Sequence, residues 1–337
     1  MKRAFILLLA LALLAGCAPA PAQAVPTAER TFFAMDTVMT LRLYQGGDEA
    51  ALERLEARVK DLEARWSVTD EHSEIFALNR DGQAELSPET ELLLDAALGL
   101  CERTSGALDI SIYPILRAWG FTRGEYSVPG DEAIAALLPL VDYTRVDYGG
   151  RNARVPKGME IDLGSVAKGF TGGDILADYL RGSGVTSALL DLGGNIQTIG
   201  AKPDGSPWRV GVRDPEGEGN IGVVSVTDKA VVTSGGYERY FEQDGMRYWH
   251  ILDPKTGKPA RSGLASVTVV GDSGVVCDGL STALFVMGLD RALDHWRQYR
   301  DFEAIFVLED GSITITAGLE GAFTLDRADH TLTVARP

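Results

Sequence analysis

From Ser187 to Val270 the chain offers one strand-length apolar segment after another, with no helix-length pattern between them. Ser187–Leu192, Trp208–Arg213, Gly222–Val226, Ala230–Thr233, Tyr248–Leu252 and Ser266–Val270 each read as a strand. Glu303–Leu308, Ser312–Thr316 and Thr331–Ala335 continue the series after two helical stretches, Ser273–Met287 and Asp290–Arg300. The other helices lie ahead of this run. In Asp48–Trp66, Leu52, Leu55, Val59, Leu62 and Trp66 recur at three- and four-residue steps, with charges on the other face. Ser87-Pro88 supplies an N-cap and a first-turn proline for a helix to about Arg103, with Gly106 just beyond. Asp131–Leu138 reads as a short helix, Val166–Arg181 as a longer one, Glu160–Leu163 as a strand end and Thr31–Tyr44 as a single strand. Helices and runs of strands are segregated. That predicts an α+β fold, mixed or antiparallel sheets flanked by helices, rather than a doubly wound one.

The chain has 337 residues, enough for a sizeable core and for one large domain or two. Its formal net charge of -16, with no basic stripe, argues against binding a nucleic-acid backbone. An acidic surface also repels anionic ligands at long range. A polyphosphate would therefore be captured locally, by backbone N–H groups, a metal and a few cationic side chains.

Lys2 and Arg3 precede an apolar run, Ala4 to Leu14, too short for a typical transmembrane helix. The run closes on Leu14-Ala15-Gly16-Cys17, the pattern of a bacterial lipobox, in which the Cys17 thiol takes diacylglycerol. An ordinary secretory signal cleaved after a nearby Ala is the alternative. Three segments follow from this reading: a lipoprotein signal over 1–16, a Pro/Ala tether over 17–30 and a domain over 31–337. The expected location is extracytoplasmic, on a bacterial membrane. Cys101 and Cys277 fall in helical, partly apolar stretches, where buried free thiols are expected and a disulfide is the alternative.

Several short motifs carry candidate chemistry. In Cys277-Asp278-Gly279-Leu280-Ser281-Thr282-Ala283, Asp278 and Thr282 are four apart on a helix and share a face. One carboxylate and one hydroxyl suit Mg²⁺, which keeps water or substrate phosphate among its ligands. A helix cap and a packing threonine would look the same. Asp162-Leu163-Gly164-Ser165-Val166-Ala167-Lys168-Gly169 puts a tight turn at a helix start, where N–H groups attract anions and Lys168 can reach a phosphate. Gly193-Gly194 after Asp191-Leu192, and Thr233-Ser234-Gly235-Gly236, end strands with unhindered backbone. Either could cradle phosphate or simply turn. His250 precedes a rigid Asp253-Pro254-Lys255-Thr256-Gly257 turn, and a histidine there suits a general base.

Taken in order, Asp162–Gly169, Asp191–Gly200, Thr233–Phe241, His250–Pro259 and Cys277–Gly288 resemble the ApbE family of FAD:protein FMN transferases. Met35-Asp36-Thr37, Ser73-Glu74-Ile75 with Leu78-Asn79, and Gly106-Ala107-Leu108-Asp109 with Trp119-Gly120-Phe121 add to the resemblance. It extends from about Phe32 to Phe306 and implies an ApbE-like, T-fold-like architecture. Asp36 stands where the family often has Gly, and Asp109-Ile110-Ser111 where it usually reads Asp-Pro-Thr.

The resemblance implies Mg²⁺ held by the Ala167 carbonyl, Asp278 and Thr282, with FAD as the substrate. It makes His250 the base that deprotonates an acceptor Ser or Thr, and it gives Asp278 a catalytic part. Met35, Ser73, Glu74 and Asn79 would lie around the isoalloxazine or ribityl chain. Asp162, Lys168, Gly193, Gly194, Thr233, Ser234 and Gly235 would serve the ribose, adenine and phosphates. The expected partners are flavoprotein subunits of membrane redox complexes. Two rivals share the motifs: a Mg²⁺-dependent FAD pyrophosphatase, and a non-catalytic flavin-binding lipoprotein.

Overall fold

The computed structural model describes residues 25–326 and 330–337. The signal segment, Cys17 and the first part of the tether lie outside the described residues.

The spine is a nine-stranded sheet whose spatial order is its chain order: β1 (Ala28–Ala34), β2 (Thr37–Gln45), β3 (Ser187–Leu192), β4 (Asn195–Ile199), β5 (Ala230–Gly235), β6 (Leu264–Gly271), β7 (Phe302–Leu308), β8 (Ile313–Thr316) and β9 (Leu332–Ala335). Every neighbouring pair is antiparallel except β8–β9. Two of the connections carry the long helices. Between β2 and β3 come α1 (Glu49–Trp66), α2 (Glu74–Asp81), α3 (Pro88–Arg103) and α4 (residues 167–182); between β6 and β7 come α5 (Gly274–Met287) and α6 (Leu289–Tyr299).

Alternation along the strands gives the sheet two covered faces. Ala230, Val232, Val267, Val269, Ala304 and Phe306 turn toward the helices and pack with Cys277, Leu280, Leu284 and Phe285 of α5. Val231, Val270, Ile305, Val307 and Ile313 turn the other way. There they meet a three-stranded sheet, Trp208–Arg213, Asn220–Val226 and Phe323–Leu325. The expected α1 face is the buried one, and Asp48 caps the helix by accepting from Ala51 N–H at 2.8 Å. α5 is apolar nearly all round because it is enclosed on all sides. Cys101 and Cys277 are buried free thiols.

Four sequence expectations need correction. Thr31–Tyr44 is a hairpin, not one strand: Met35 (φ 49°) and Asp36 (φ 60°) form a left-handed turn that aspartate tolerates better than most residues. β1 starts at Ala28, so the last residues assigned to the tether are already paired with β2. Glu160–Leu163 is not a strand, because Ile161 is held by a side chain instead of a ladder. Asn79 accepts from its N–H at 2.7 Å and donates to its carbonyl at 2.8 Å. The single strand expected over Tyr248–Leu252 is divided between Met246–Trp249, paired with Tyr240–Gln243, and Leu252–Asp253. Helix α4 runs as expected but is wound as a π-helix over Phe170–Leu176.

Candidate active site

The site forms where α4 and α5 cross beside the ends of β3, β4 and β5. Their approach depends on glycine. A Cβ on Gly169 would lie 2.2 Å from the Gly274 carbonyl oxygen and 2.6 Å from Asp278 Cβ, and one on Gly173 would lie 2.8 Å from the Gly274 nitrogen. At this crossing the Gly169 N–H donates to Asp278 Oδ2 at 2.8 Å. The carboxylate is therefore oriented before any ligand arrives.

Asp278 is only 6% exposed. Desolvation raises its pKa, opposed by Lys168, the Gly169 N–H and the nearby Asn195 amide. One turn along α5, Thr282 lines the same cavity. Its Oγ1 lies 3.3 Å from Ser234 Oγ, which also bonds Ser281 Oγ at 2.7 Å. The Ala167 carbonyl accepts from Thr171 Oγ1 at 2.7 Å, and Ala167 lines the adjoining cavity. Among the described residues no three His, Cys, Asp or Glu side chains cluster as a self-sufficient metal site. One carboxylate, one hydroxyl and one carbonyl are hard oxygen donors. They fit Mg²⁺, which takes its remaining ligands from water and substrate phosphate.

Two adjoining cavities, of 390 and 190 Å³, share Leu116, Asp162, Gly164, Lys168, Arg239 and His250. The larger has apolar walls from Met35, Trp66, Val68 and Phe121. The smaller contains Gly193, Asn195, Thr233, Ser234, Asp278 and Thr282. Gly193 is irreplaceable on geometric grounds: its φ is +70°, and a Cβ would sit 2.0 Å from Thr37 Oγ1. Lys168 lines both cavities and forms no ion pair among the described residues. Asp162 turns back to accept from Gly164 N–H at 2.8 Å, and burial raises its pKa.

His250 is anchored twice to one carbonyl. Its backbone N–H donates to Arg239 O at 3.1 Å, and its Nδ1 lies 3.2 Å from the same oxygen. A carbonyl only accepts, so Nδ1 carries the proton and Nε2 keeps the lone pair. Desolvation first, then the Arg239 and Lys168 cations, pushes the imidazole pKa down to about 3. The ring is neutral at physiological pH.

The structure brings together Met35, Asp162, Ala167, Lys168, Gly193, Thr233, Ser234, His250, Asp278 and Thr282 around these two cavities. Gly194 faces a neighbouring groove, and Gly235 packs under Tyr237 instead of lining a cavity. Ser73, Glu74 and Asn79, expected near the flavin, do not line either cavity. Ser73 is 1% exposed; it caps α2 by accepting from Phe76 N–H and donates to Ser67 O. Glu74 accepts from Ser87 N–H at 2.8 Å, and Asn79 is spent on Ile161. Ser73 and Asn79 brace the cavity wall from behind, since Ser67 and Asp162 line the cavity itself.

Three residues of the site were not singled out from sequence. Arg239 lines both cavities, pairs with Asp36 at 3.1 Å and donates to Phe121 O at 3.1 Å. Glu238 lines the smaller cavity, and desolvation followed by Asp278 raises its pKa against Lys168 and two arginines. Asn195 is 3% exposed, and its amide lies beside the Asp278 carboxylate and helps to hold it charged. All three sit inside motifs already noted. Their signal was a charge or an amide next to a glycine turn, which glycine patterns overshadow.

A model described as the ApbE family matches residues 35–306. An FAD:protein FMN transferase of Treponema pallidum is 34% identical over 306 residues, covering 82% of this chain and 84% of that protein. The crystal structure of the ApbE protein from Thermotoga maritima superposes with a TM-score of 0.81 at 33% identity, covering 88% of this chain and 98% of that one. The flavin transferase ApbE from Vibrio cholerae gives a TM-score of 0.78 at 26% identity over 88% of this chain and 100% of that one.

Proposed function

The chain belongs to the ApbE family, and we propose that it is an FAD:protein FMN transferase that uses Mg²⁺ to move the FMN half of FAD onto a Ser or Thr hydroxyl of another protein. The observation that carries this reading is the shared wall of the two cavities. A neutral His250 with a free Nε2 and the cation Lys168 meet there, and the oriented carboxylate Asp278 lines the smaller cavity beside them.

The apolar walls of Met35, Trp66, Val68 and Phe121 suit a flat isoalloxazine, and the smaller cavity suits the AMP half. The pyrophosphate would then cross at Lys168, where a backbone turn and a cation meet. Asp278, Thr282 and the Ala167 carbonyl would hold Mg²⁺, which when bound neutralises charge gathering on the phosphate oxygens. The Asn195 amide, buried beside Asp278, is also placed to reach a phosphate oxygen.

His250 Nε2 accepts the proton of the acceptor hydroxyl as that oxygen attacks the FMN phosphorus. The P–O bond to the AMP phosphate breaks, AMP leaves with that bridging oxygen, and a phosphoester joins FMN to the acceptor. Arg239 holds His250 by its carbonyl while its guanidinium reaches Asp36. The base is thereby tied to the hairpin that lines the flavin cavity.

The Leu14-Ala15-Gly16-Cys17 sequence supports a lipid anchor through Cys17, on the extracytoplasmic side of a bacterial membrane. Acceptors there would be flavoprotein subunits of membrane redox complexes. Nucleotide chromatography after incubation with FAD tests the catalytic reading. AMP formation that needs Mg²⁺ and stops with EDTA is expected, whereas FAD bound and left intact would make the protein a carrier.

A further inference from the structure

Beside the two substrate cavities lies a third, open groove of 690 Å³. Its floor is the face of β3, β4 and β5 carrying Leu189, Ile196 and Val231, and one wall is the strand Trp208–Arg213. Burial along that strand alternates, so Trp208, Val210 and Val212 point into the core while Arg209, Gly211 and Arg213 point out. The groove opens directly onto the transfer site, because Lys168, Gly193, Thr233, Glu238 and Arg239 line both it and the smaller cavity.

The charges in this groove run against the rest of the molecule. In a chain of net charge -16, Lys168, Arg209, Arg213 and Arg239 converge on it. Three carboxylates also line it. Asp36 is paired with Arg239 at 3.1 Å, Asp191 accepts from the Gly194 N–H at 2.8 Å, and Glu238 sits toward Lys168 and Asp278. Arg209 and Arg213 have no ion pair among the described residues; Arg213 stacks over the Tyr237 ring at 5.4 Å, which aims and stiffens it. Most other arginines of the chain are paired with an acid.

From this we propose that the groove docks the acceptor polypeptide, and that Arg209 and Arg213 read acidic residues flanking the hydroxyl that receives FMN. The proposal rests on the transferase reading for the identity of the occupant. Two residues four apart on a strand are roughly 13 Å apart. Their guanidinium groups thus reach carboxylates separated by a few residues of an extended peptide, each in a forked, two-bond geometry that lysine lacks. A peptide so held runs past Thr233 and Glu238 toward Lys168, which places a hydroxyl within range of His250. Docking also overcomes the long-range repulsion that an acidic enzyme exerts on an acidic segment.

The test uses two short fluorescein-labelled peptides, each with a single Thr flanked on both sides by Asp in one and by Asn in the other. Anisotropy with the FAD-loaded enzyme should show the Asp peptide binding roughly tenfold tighter, with the difference fading at high salt. The double variant Arg209→Glu/Arg213→Glu should abolish the preference while FAD binding, read by flavin fluorescence, is retained. The milder pair Arg209→Gln/Arg213→Gln should reduce it, which guards against a fold defect in the reversal. Equal binding of the two peptides, no binding of either, or a preference that survives charge reversal overturns the proposal. Mass analysis of the same mixtures reports separately on the chemistry. FMN transfer without an Asp preference refutes the groove and leaves the transferase standing. An Arg-dependent preference without any transfer, here and on whole acceptor proteins, keeps an acidic-peptide groove but overturns its assignment to the acceptor.

Discussion

In the proposed transfer Asp278 and His250 divide the chemistry between them, and their surroundings explain how. Asp278 is fixed by the Gly169 N–H at 2.8 Å and faces Lys168, so its buried carboxylate is disposed toward a cation. Asp278→Asn keeps the shape and removes the charge. Turnover should fall by roughly 10²-fold or more at saturating FAD, measured as AMP release across a Mg²⁺ titration; wild-type rates at low Mg²⁺ would rule out a ligand role. His250→Ala removes only the proton acceptor. We expect kcat to drop by about 10²–10⁴-fold with FAD affinity nearly unchanged. The imidazole of the free enzyme is held at about 3, so His250 should add no acidic limb to kcat/KM between about pH 5 and 8. A limb near the ordinary histidine value that vanishes in His250→Ala would show that the ring protonates far more readily than its surroundings dictate. That Asp278 and Thr282 line one cavity with His250 follows the sequence expectation, because the four-residue helical step puts the first two on one face. Ser73 and Asn79 lie outside both cavities, since motif membership does not say which way a side chain faces.

At the scale of elements, the crossing of α4 and α5 controls the site. Gly169→Ala forces a methyl to within 2.2 Å of the Gly274 carbonyl oxygen, a backbone atom with nowhere to go. It should destabilise the protein by about 1–3 kcal/mol and weaken Mg²⁺ dependence, both measurable by thermal melts with and without metal. Asp174, on the π-turn of α4, sits against the first turn of α5, where its Oδ2 lies 3.4 Å from Val275 N. Desolvation raises its pKa to about 6. A raised carboxyl favours the folded state fully below its unfolded value near 3.8 and loses that contribution as pH rises through about 6. Asp174→Asn should therefore raise the melting temperature at pH 8 and leave it almost unchanged at pH 4. An equal shift at both pH values would assign the effect to packing instead. Long, strongly periodic elements such as α1 were legible to within a residue. The β1–β2 turn was not, because Met35-Asp36 lacks the glycine or asparagine that normally advertises a hairpin. Nor was the loop at Ile161, whose partner is the side chain of Asn79, eighty-two positions away.

For the whole molecule, the succession of strand-length segments predicted an α+β fold, and nine strands do form one sheet in chain order. The sequence could not announce that two helical insertions would fold back over a single face and meet at one point. That arrangement follows from tertiary packing of glycines against helices, which local periodicity does not encode. Among the described residues no helix is long and apolar enough to cross a membrane. If the proposed lipid anchor at Cys17 holds, Cys17→Ser should move the protein to the soluble fraction; continued membrane fractionation would contradict the anchor.

The central claim is that a neutral base and an oriented carboxylate transfer FMN to a protein hydroxyl. A mass spectrum of a candidate acceptor, taken after incubation with the mature enzyme, FAD and Mg²⁺, tests it most directly. The account predicts a mass gain equal to phosphoester-linked FMN on a Ser or Thr, matched by AMP and abolished by EDTA or by Asp278→Asn. AMP with free FMN and no adduct on any acceptor would contradict it and leave a pyrophosphatase.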